Sequence, residues 1–234
     1  MGATRQNRGC TSVIGHASAI VQPGRLRHIA SNPPLTLRQV YDEDGVGLCL
    51  VGSAAGPLAG DELCLDLDVE AGARTTLTAA GATIAQGGAS STRVRASVGA
   101  GASLRADPGP LVVCAGASVH VELTIDLDPT GCAEWRELLV LGRSGEPPGA
   151  ATLDWNVTRG GTPLLRQRVD LADAALRDWV GMLHGRRVLA TTLRVGPAID
   201  ARTVVRSATS VTQRLAEHAE LSTELSEATA LGRM

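Results

Sequence analysis

Two stretches of the chain alternate strictly between apolar and polar side chains. Leu63, Leu65, Leu67 and Val69 alternate with Cys64, Asp66, Asp68 and Glu70, and Val119, Val121, Leu123, Ile125 and Leu127 alternate with His120, Glu122, Thr124, Asp126 and Asp128. A period of two sends successive side chains to opposite faces of a strand. Each stretch therefore predicts a β-strand with its apolar face on a core and its acidic face outward. The same alternation, broken by glycine-containing turns, runs from about residue 35 to 168. The turns Glu70-Ala71-Gly72-Ala73, Gly99-Ala100-Gly101-Ala102 and Pro129-Thr130-Gly131-Cys132 set their central glycines 29 and 30 residues apart, and Asp44-Gly45-Val46 lies 27 residues before Gly72. A strand–turn–strand unit recurring at about 30 residues predicts either coils stacked side by side or the regular hairpins of a β-sandwich.

After residue 168 the period changes. Asp170 or Asp173 can cap a helix over about 172–184, with Leu176, Trp179, Val180 and Leu183 inward and Gly185 as its stop. Arg187 to Val195 reads as one more strand, ended by Gly196-Pro197. From about Asp200 to Ala230 the stripe Val204, Ala208, Val211, Leu215, His218, Ser222 and Leu225 is spaced 4, 3, 4, 3, 4, 3, which predicts a long helix with a narrow packing seam. Val204, Val211 and Leu215 are its candidate partner-binding positions; the stripe can equally pack on the protein's own β body. The expected organisation is a tail over 1–20, a β-rich domain over 21–197 and a C-terminal helix over 198–234.

Composition narrows the chemistry. The chain of 234 residues carries a net charge of −2, and its 22 basic residues are all Arg. A Walker A loop and Schiff-base catalysis both need a Lys and are excluded. The slight acidity and scarce aromatics argue against nucleic acid as a partner. With no Phe, one Tyr and three Trp, the core must be built from Leu, Val and Ala. The N-terminal residues hold no apolar signal core and the longest uncharged run is too short to span a bilayer, so the expected compartment is the cytoplasm. Five Cys at 10, 49, 64, 114 and 132 form no CxxC pair, and four of them, in strand-like or turn-like context, read as small buried thiols.

Catalytic motifs are lacking. Gly52-Ser53-Ala54-Ala55-Gly56 does not have the spacing of a nucleophile elbow, Gly99-Ala100-Gly101 lacks the third glycine of a dinucleotide fingerprint, and the five His form no metal-ligand pair. The acidic strand faces are the more informative feature. Carboxylates in rows, with Cys64 and His120 beside them, can hold a divalent metal weakly, or can be a solvated face matched by Arg.

Four stretches between residues 48 and 146 resemble the UreD (UreH) urease accessory family. Leu50-Val51-Gly52-Ser53-Ala54-Ala55-Gly56-Pro57-Leu58-Ala59-Gly60-Asp61 is similar to its L-L-N-x-x-G-G-x-x-G-G-D segment. Gly72-Ala73-Arg74 followed by Leu77-Thr78-Ala79-Ala80-Gly81-Ala82-Thr83 is similar to G-A-x…L-T-T-Q-A-A-T. Pro108-Gly109-Pro110-Leu111-Val112-Val113-Cys114-Ala115-Gly116-Ala117 resembles P-x-P-L-I-P-F-A-G-A, and Leu141-Gly142-Arg143-Ser144-Gly145-Glu146 matches the G-R-x-x-G-E turn. Order and spacing agree over roughly 40–197. The departures are Gly52 for the family's Asn, Pro57 for a Gly, and a stretch around Ala80 to Gly87 without the family's Lys, Tyr and Arg. The chain reads as a divergent, actinobacterial-type member.

The resemblance implies a β-rich, helically stacked body with a short helical part, and a non-catalytic scaffold. Such a scaffold binds UreF and, through it, the GTPase UreG, and docks on apo-urease to deliver nickel. It implies no tightly bound cofactor, only nickel in transit through the body. Asp61, at the family's G-D step, is the first candidate for that path, with Asp66, Asp68 and Glu122 added from the strand faces. Gly60, Gly142, Arg143 and Glu146 are expected to shape turns. A purely structural scaffold without a metal path is the alternative.

Overall fold

A computed structural model describes residues 12–196, 210–216 and 218–226. Two hairpins open the fold, β1 (Ile14–Gln22) with β2 (Arg25–Asn32) and β3 (Leu35–Val40) with β4 (Val46–Gly52). The middle of the chain then runs back and forth between two sheets through β5 (Glu62–Val69), β6 (Arg74–Ala79), β7 (Thr83–Ala85), β8 (Gly88–Val98), β9 (Ser103–Ala106), β10 (Pro110–Val113), β11 (Ala117–Leu127) and β12 (Cys132–Leu141). A hairpin of β13 (Ala150–Arg159) and β14 (Thr162–Asp170), a short α1 (Ala174–Asp178), β15 (Val188–Val195), β16 (Ser210–Ala216) and β17 (Ala219–Ser226) complete it. One sheet has seven strands in the order β14-β13-β11-β8-β5-β1-β2. The other has ten, β16-β17-β15-β12-β9-β6-β4-β3 with β10 and β7 alongside.

Strand pairing decides between stacked coils and a sandwich of hairpins. Val46, Thr75, Leu104 and Ala133 are successive register partners in the ten-stranded sheet, and Glu62, Ser91 and His120 in the seven-stranded sheet, each 29 residues after the last and all in parallel. Parallel neighbours need a crossover, and here the crossover is the passage through the other sheet. The body is therefore a stack of coils, with antiparallel hairpins closing its ends.

Turn lies on turn. Glu70 N–H donates to Val21 C=O at 2.9 Å, Gly99 N–H to Val69 C=O at 2.8 Å, and Asp128 N–H to Val98 C=O at 2.8 Å. At Gly99 a Cβ would sit 2.7 Å from the backbone N of Ala71, so the approach of adjacent coils requires glycine there. Between the sheets, Leu63, Leu65, Leu67, Val69 and the apolar series of β11 are all buried, as the alternation predicts. The core is Leu, Val and Ala, with Trp135 and Trp155 as its only buried aromatics among the described residues. Each fully buried Leu in such a core contributes about 1.5–3 kcal/mol.

Three expectations are corrected. The tail is shorter than 1–20, because residues 14–22 form β1, paired in parallel with β5. Its inward residues include Ala17 and Ala19, whose small side chains write only a faint alternation. The helix over 172–184 shrinks to the five residues of α1. Asp173 does cap it, accepting the N–H groups of Ala175 at 2.8 Å and Leu176 at 3.3 Å, but Trp179 turns extended and ends it. Leu183 is buried as expected, whereas Leu176, Trp179 and Val180 are 56%, 60% and 69% exposed. Five residues are too few for one face to reach the core along its length.

The third correction is the C-terminal helix. Within the described part of 198–234 the chain forms β16 and β17 instead. The edge of β15 offers a full ladder, and β17 takes it from Val188↔Ser226 to Val195↔Ala219. Ala219 and Leu221 are buried on it, in a period of two that coexists with the helical spacing. Leu215 packs half-buried against the larger core cluster. Val204 and the side chain of Val211 lie outside the described residues.

Candidate functional site

The acidic faces predicted from alternation form the outer surface of the seven-stranded sheet. Parallel registration lines up Cys64, Arg93, Glu122 and Asp154 across four strands, and the antiparallel β13–β14 hairpin adds Arg168 opposite Asp154. Arg93 Nε donates to Glu122 at 3.2 Å, Arg168 to Asp154 at 3.0 Å, and His120 Nε2 lies 2.7 Å from the same Asp154 oxygen. One register row along, Asp66 meets His16 Nε2 at 2.7 Å, and in the next Asp68 accepts the Ser97 hydroxyl at 2.9 Å. At the end of β5, Glu70 is held below the ordinary carboxylate range by hydrogen bonds from Gln22 and Arg27. Like charges two apart on one strand are thus relieved by partners on neighbouring strands.

Asp66 and Asp68 also border a shallow groove of about 530 Å³ on this face, together with Asp126, His28 and Arg95. Glu122 does not line it. Among the described residues, no three His, Cys, Asp or Glu side chains converge as metal ligands would.

Asp61 stands apart from this face. It is 4% exposed, at the start of β5; its Oδ1 accepts the N–H of Val13 at 2.9 Å and its Oδ2 that of Leu58 at 2.8 Å. Gly60, just before it, has φ +85° and lies against Ser12. Gly142, Arg143 and Glu146 sit in the loop from β12 to β13. Gly142 has φ +81°, and a Cβ there would be 2.7 Å from the C=O of Pro147. Arg143 Nε donates to Glu146 Oε1 at 2.8 Å, and Arg187 donates to the Glu146 carbonyl. The Arg143 hydrogen bond pulls the Glu146 carboxyl down to about 2.

One feature escapes sequence reasoning. Glu137 on β12 occupies the same phase as Ala133, Trp135, Leu139 and Leu141, so it points between the sheets. It is 9% exposed and accepts Trp155 Nε1–H at 2.6 Å from the opposite sheet. It lines a cavity of about 70 Å³ whose other walls include Leu50, Leu63, Val121, Leu123 and Trp135. Burial pushes its carboxyl up to about 7, against the opposing effect of the Trp155 bond. A glutamate in phase with an apolar series is the signal that marks it in the sequence.

The fold and the turn at 142–146 agree with the expected family, and comparison with known proteins decides the question. The family model described as "UreD urease accessory protein" matches residues 16–233. The chain belongs to the UreD family. It is 40% identical over 174 residues to "Urease accessory protein UreD 1" of Saccharopolyspora erythraea, covering 70% of this chain and 68% of that protein. It is 36% identical over 178 residues to the UreD protein of Streptomyces avermitilis, covering 73% and 71%. It is 33% identical over 240 residues to that of Frankia alni, covering 83% and 80%. The UreD match extends across the C-terminal hairpin and back into β1, beyond the motifs legible at 40–197. No helix among the described residues of this UreD-family chain is long and apolar enough to cross a membrane.

Proposed function

We propose that this UreD-family chain serves urease maturation as a non-catalytic scaffold. It holds a UreF-type accessory protein, and through it a UreG-type GTPase, on apo-urease and assists nickel delivery. The observation that carries the reading is the family match over 16–233, shared with relatives named as urease accessory proteins. The C-terminal hairpin of β16 and β17, at one edge of the ten-stranded sheet, is the docking element in this reading. Leu215 braces it from the core side, and Val204 and Val211 are candidate partner-binding positions from the sequence stripe alone.

For the metal, Asp66 and Asp68 on the outer groove are the first contacts for a divalent ion in transit, and Asp61 and Glu122 are further candidates. Carboxylates on an open strand face bind such an ion weakly enough to release it. Deleting the gene tests the whole reading: urease is expected to be made with little nickel, and normal nickel content would overturn it. D66N/D68N then tests the metal role, with lowered nickel loading expected at unchanged assembly of the partner complex.

A second reading, a scaffold without a metal path, is favoured by the partners already bound to these carboxylates. Asp61 is tied to two backbone N–H groups, Asp66 to His16 and Glu122 to Arg93. Unchanged loading in D66N/D68N selects it.

A further inference from the structure

Among the described residues Glu137 is the one carboxyl that lines the cavity between the sheets, and neither scaffolding nor the outer-face carboxylates give it a task. No charged or titratable group faces it among the described residues. The walls from β3, β4, β5, β7, β8, β11 and the 108–111 segment are Leu, Val, Thr, Pro and Gly. β15 brings Thr191, its register neighbour, and β13 brings the indole of Trp155. The charged neighbours on its own strand point to the outer face, where Glu134 meets Arg105 and Arg194, and Arg136 meets Asp107. A lone buried carboxyl is stable only while neutral, because an ion without a counter-charge in an apolar site must recover solvation.

We propose that Glu137 makes the joining of the two sheets proton-linked: as the neutral acid it accepts Trp155 Nε1–H across an apolar cavity, and on ionising it keeps that donor but, having no counter-charge, draws water in between the sheets. The cavity has room for water, which needs roughly 10–15 Å³ per molecule in the same measure. The pH window follows from the buried carboxyl, raised from an ordinary 4.5 to about 7. A group raised in the folded state contributes stability that is complete below its unfolded value and is lost as pH rises through the folded one. The protein therefore loosens between about pH 4.5 and 7, and the effect is complete above that range.

The experiment is denaturant unfolding of the full-length chain and of E137Q, which keeps the shape but cannot ionise, from pH 4.5 to 8.5. Relative to E137Q, the wild-type unfolding constant is expected to rise up to about tenfold per pH unit in this window, for one proton released, and then to level off. Parallel pH profiles for the two proteins would overturn the proposal. Tryptophan emission of the native wild type gives a second readout that does not need E137Q to fold. A titration step near pH 7, absent in W155F, is expected. A step confined to the ordinary carboxylate range, or no difference between wild type and W155F, would also overturn it.

Discussion

The carboxylate of Asp61 holds the backbone N–H of Val13 at 2.9 Å, fastening the entry of β1 to the entry of β5, and with its other oxygen it holds Leu58. An acidic residue that the G-D motif offers as a metal contact is thus also the lock on the first parallel pair. D61A removes the acceptor of two N–H groups, and an unsatisfied buried donor costs about 1–3 kcal/mol. Loss of about 2 kcal/mol or more is expected in denaturant unfolding. If nickel loading of urease falls only in proportion to the folded fraction, the role of Asp61 is structural.

The coil stack depends on close approach more than on unusual backbone. At Gly99 an added methyl meets Ala71 backbone at 2.7 Å, whereas Gly101, with φ +63°, has open space around its Cβ position. G99A is expected to cost about 1–3 kcal/mol by forcing coils apart, and G101A about 1–2 kcal/mol through the left-handed backbone alone. Thermal midpoints of the two variants should therefore fall by different routes. Because the clash at Gly99 is with the backbone of Ala71 and Glu70, removing the Ala71 side chain (A71G) should leave the loss in G99A undiminished.

Removal of the chain after Pro197 strips β17 from β15. It bares a ladder of eight register pairs and uncovers the apolar face on which Ala219 and Leu221 are buried. An unpaired apolar edge is a template for association. The truncated chain is expected to elute as aggregates in size-exclusion chromatography. A soluble, folded product of monomer size would show that the hairpin is dispensable to the β body.

The Arg143–Glu146 turn should show itself at acid pH. With its carboxyl lowered to about 2 by the Arg143 hydrogen bond, Glu146 contributes its stabilising charge above the ordinary glutamate value, near 4.5, and loses it as pH falls through about 2. In R143Q the Glu146 carboxyl is expected to titrate close to 4.5, measured by side-chain carbon NMR. A value still near 2 would assign the shift to the backbone N–H groups around the turn.

The strands at 62–69 and 117–127 are legible in the sequence because side-chain alternation is a local property of an extended backbone. The 29-residue coil is nearly so, since each turn needs its own small residues. Leu176, Trp179 and Val180 mislead because a helical spacing says nothing about how long the helix lasts. Once Trp179 turns extended, they have no core to face.

By itself the sequence determined the alternation, the Gly turns, the absence of catalytic motifs and the family, all carried by residues close together in the chain. The tertiary structure alone decided what depends on remote neighbours. Parallel pairing separated stacked coils from hairpins, and the open ladder of β15 made strands of a segment whose spacing also suits a helix. Arg residues one coil away neutralised acidic positions that look metal-like when read along one strand. Trp155 and Glu137, eighteen residues apart and on different sheets, became one buried pair. A hydrogen bond, an ion pair and a buried charge each depend on what lies opposite, and only the folded chain supplies it.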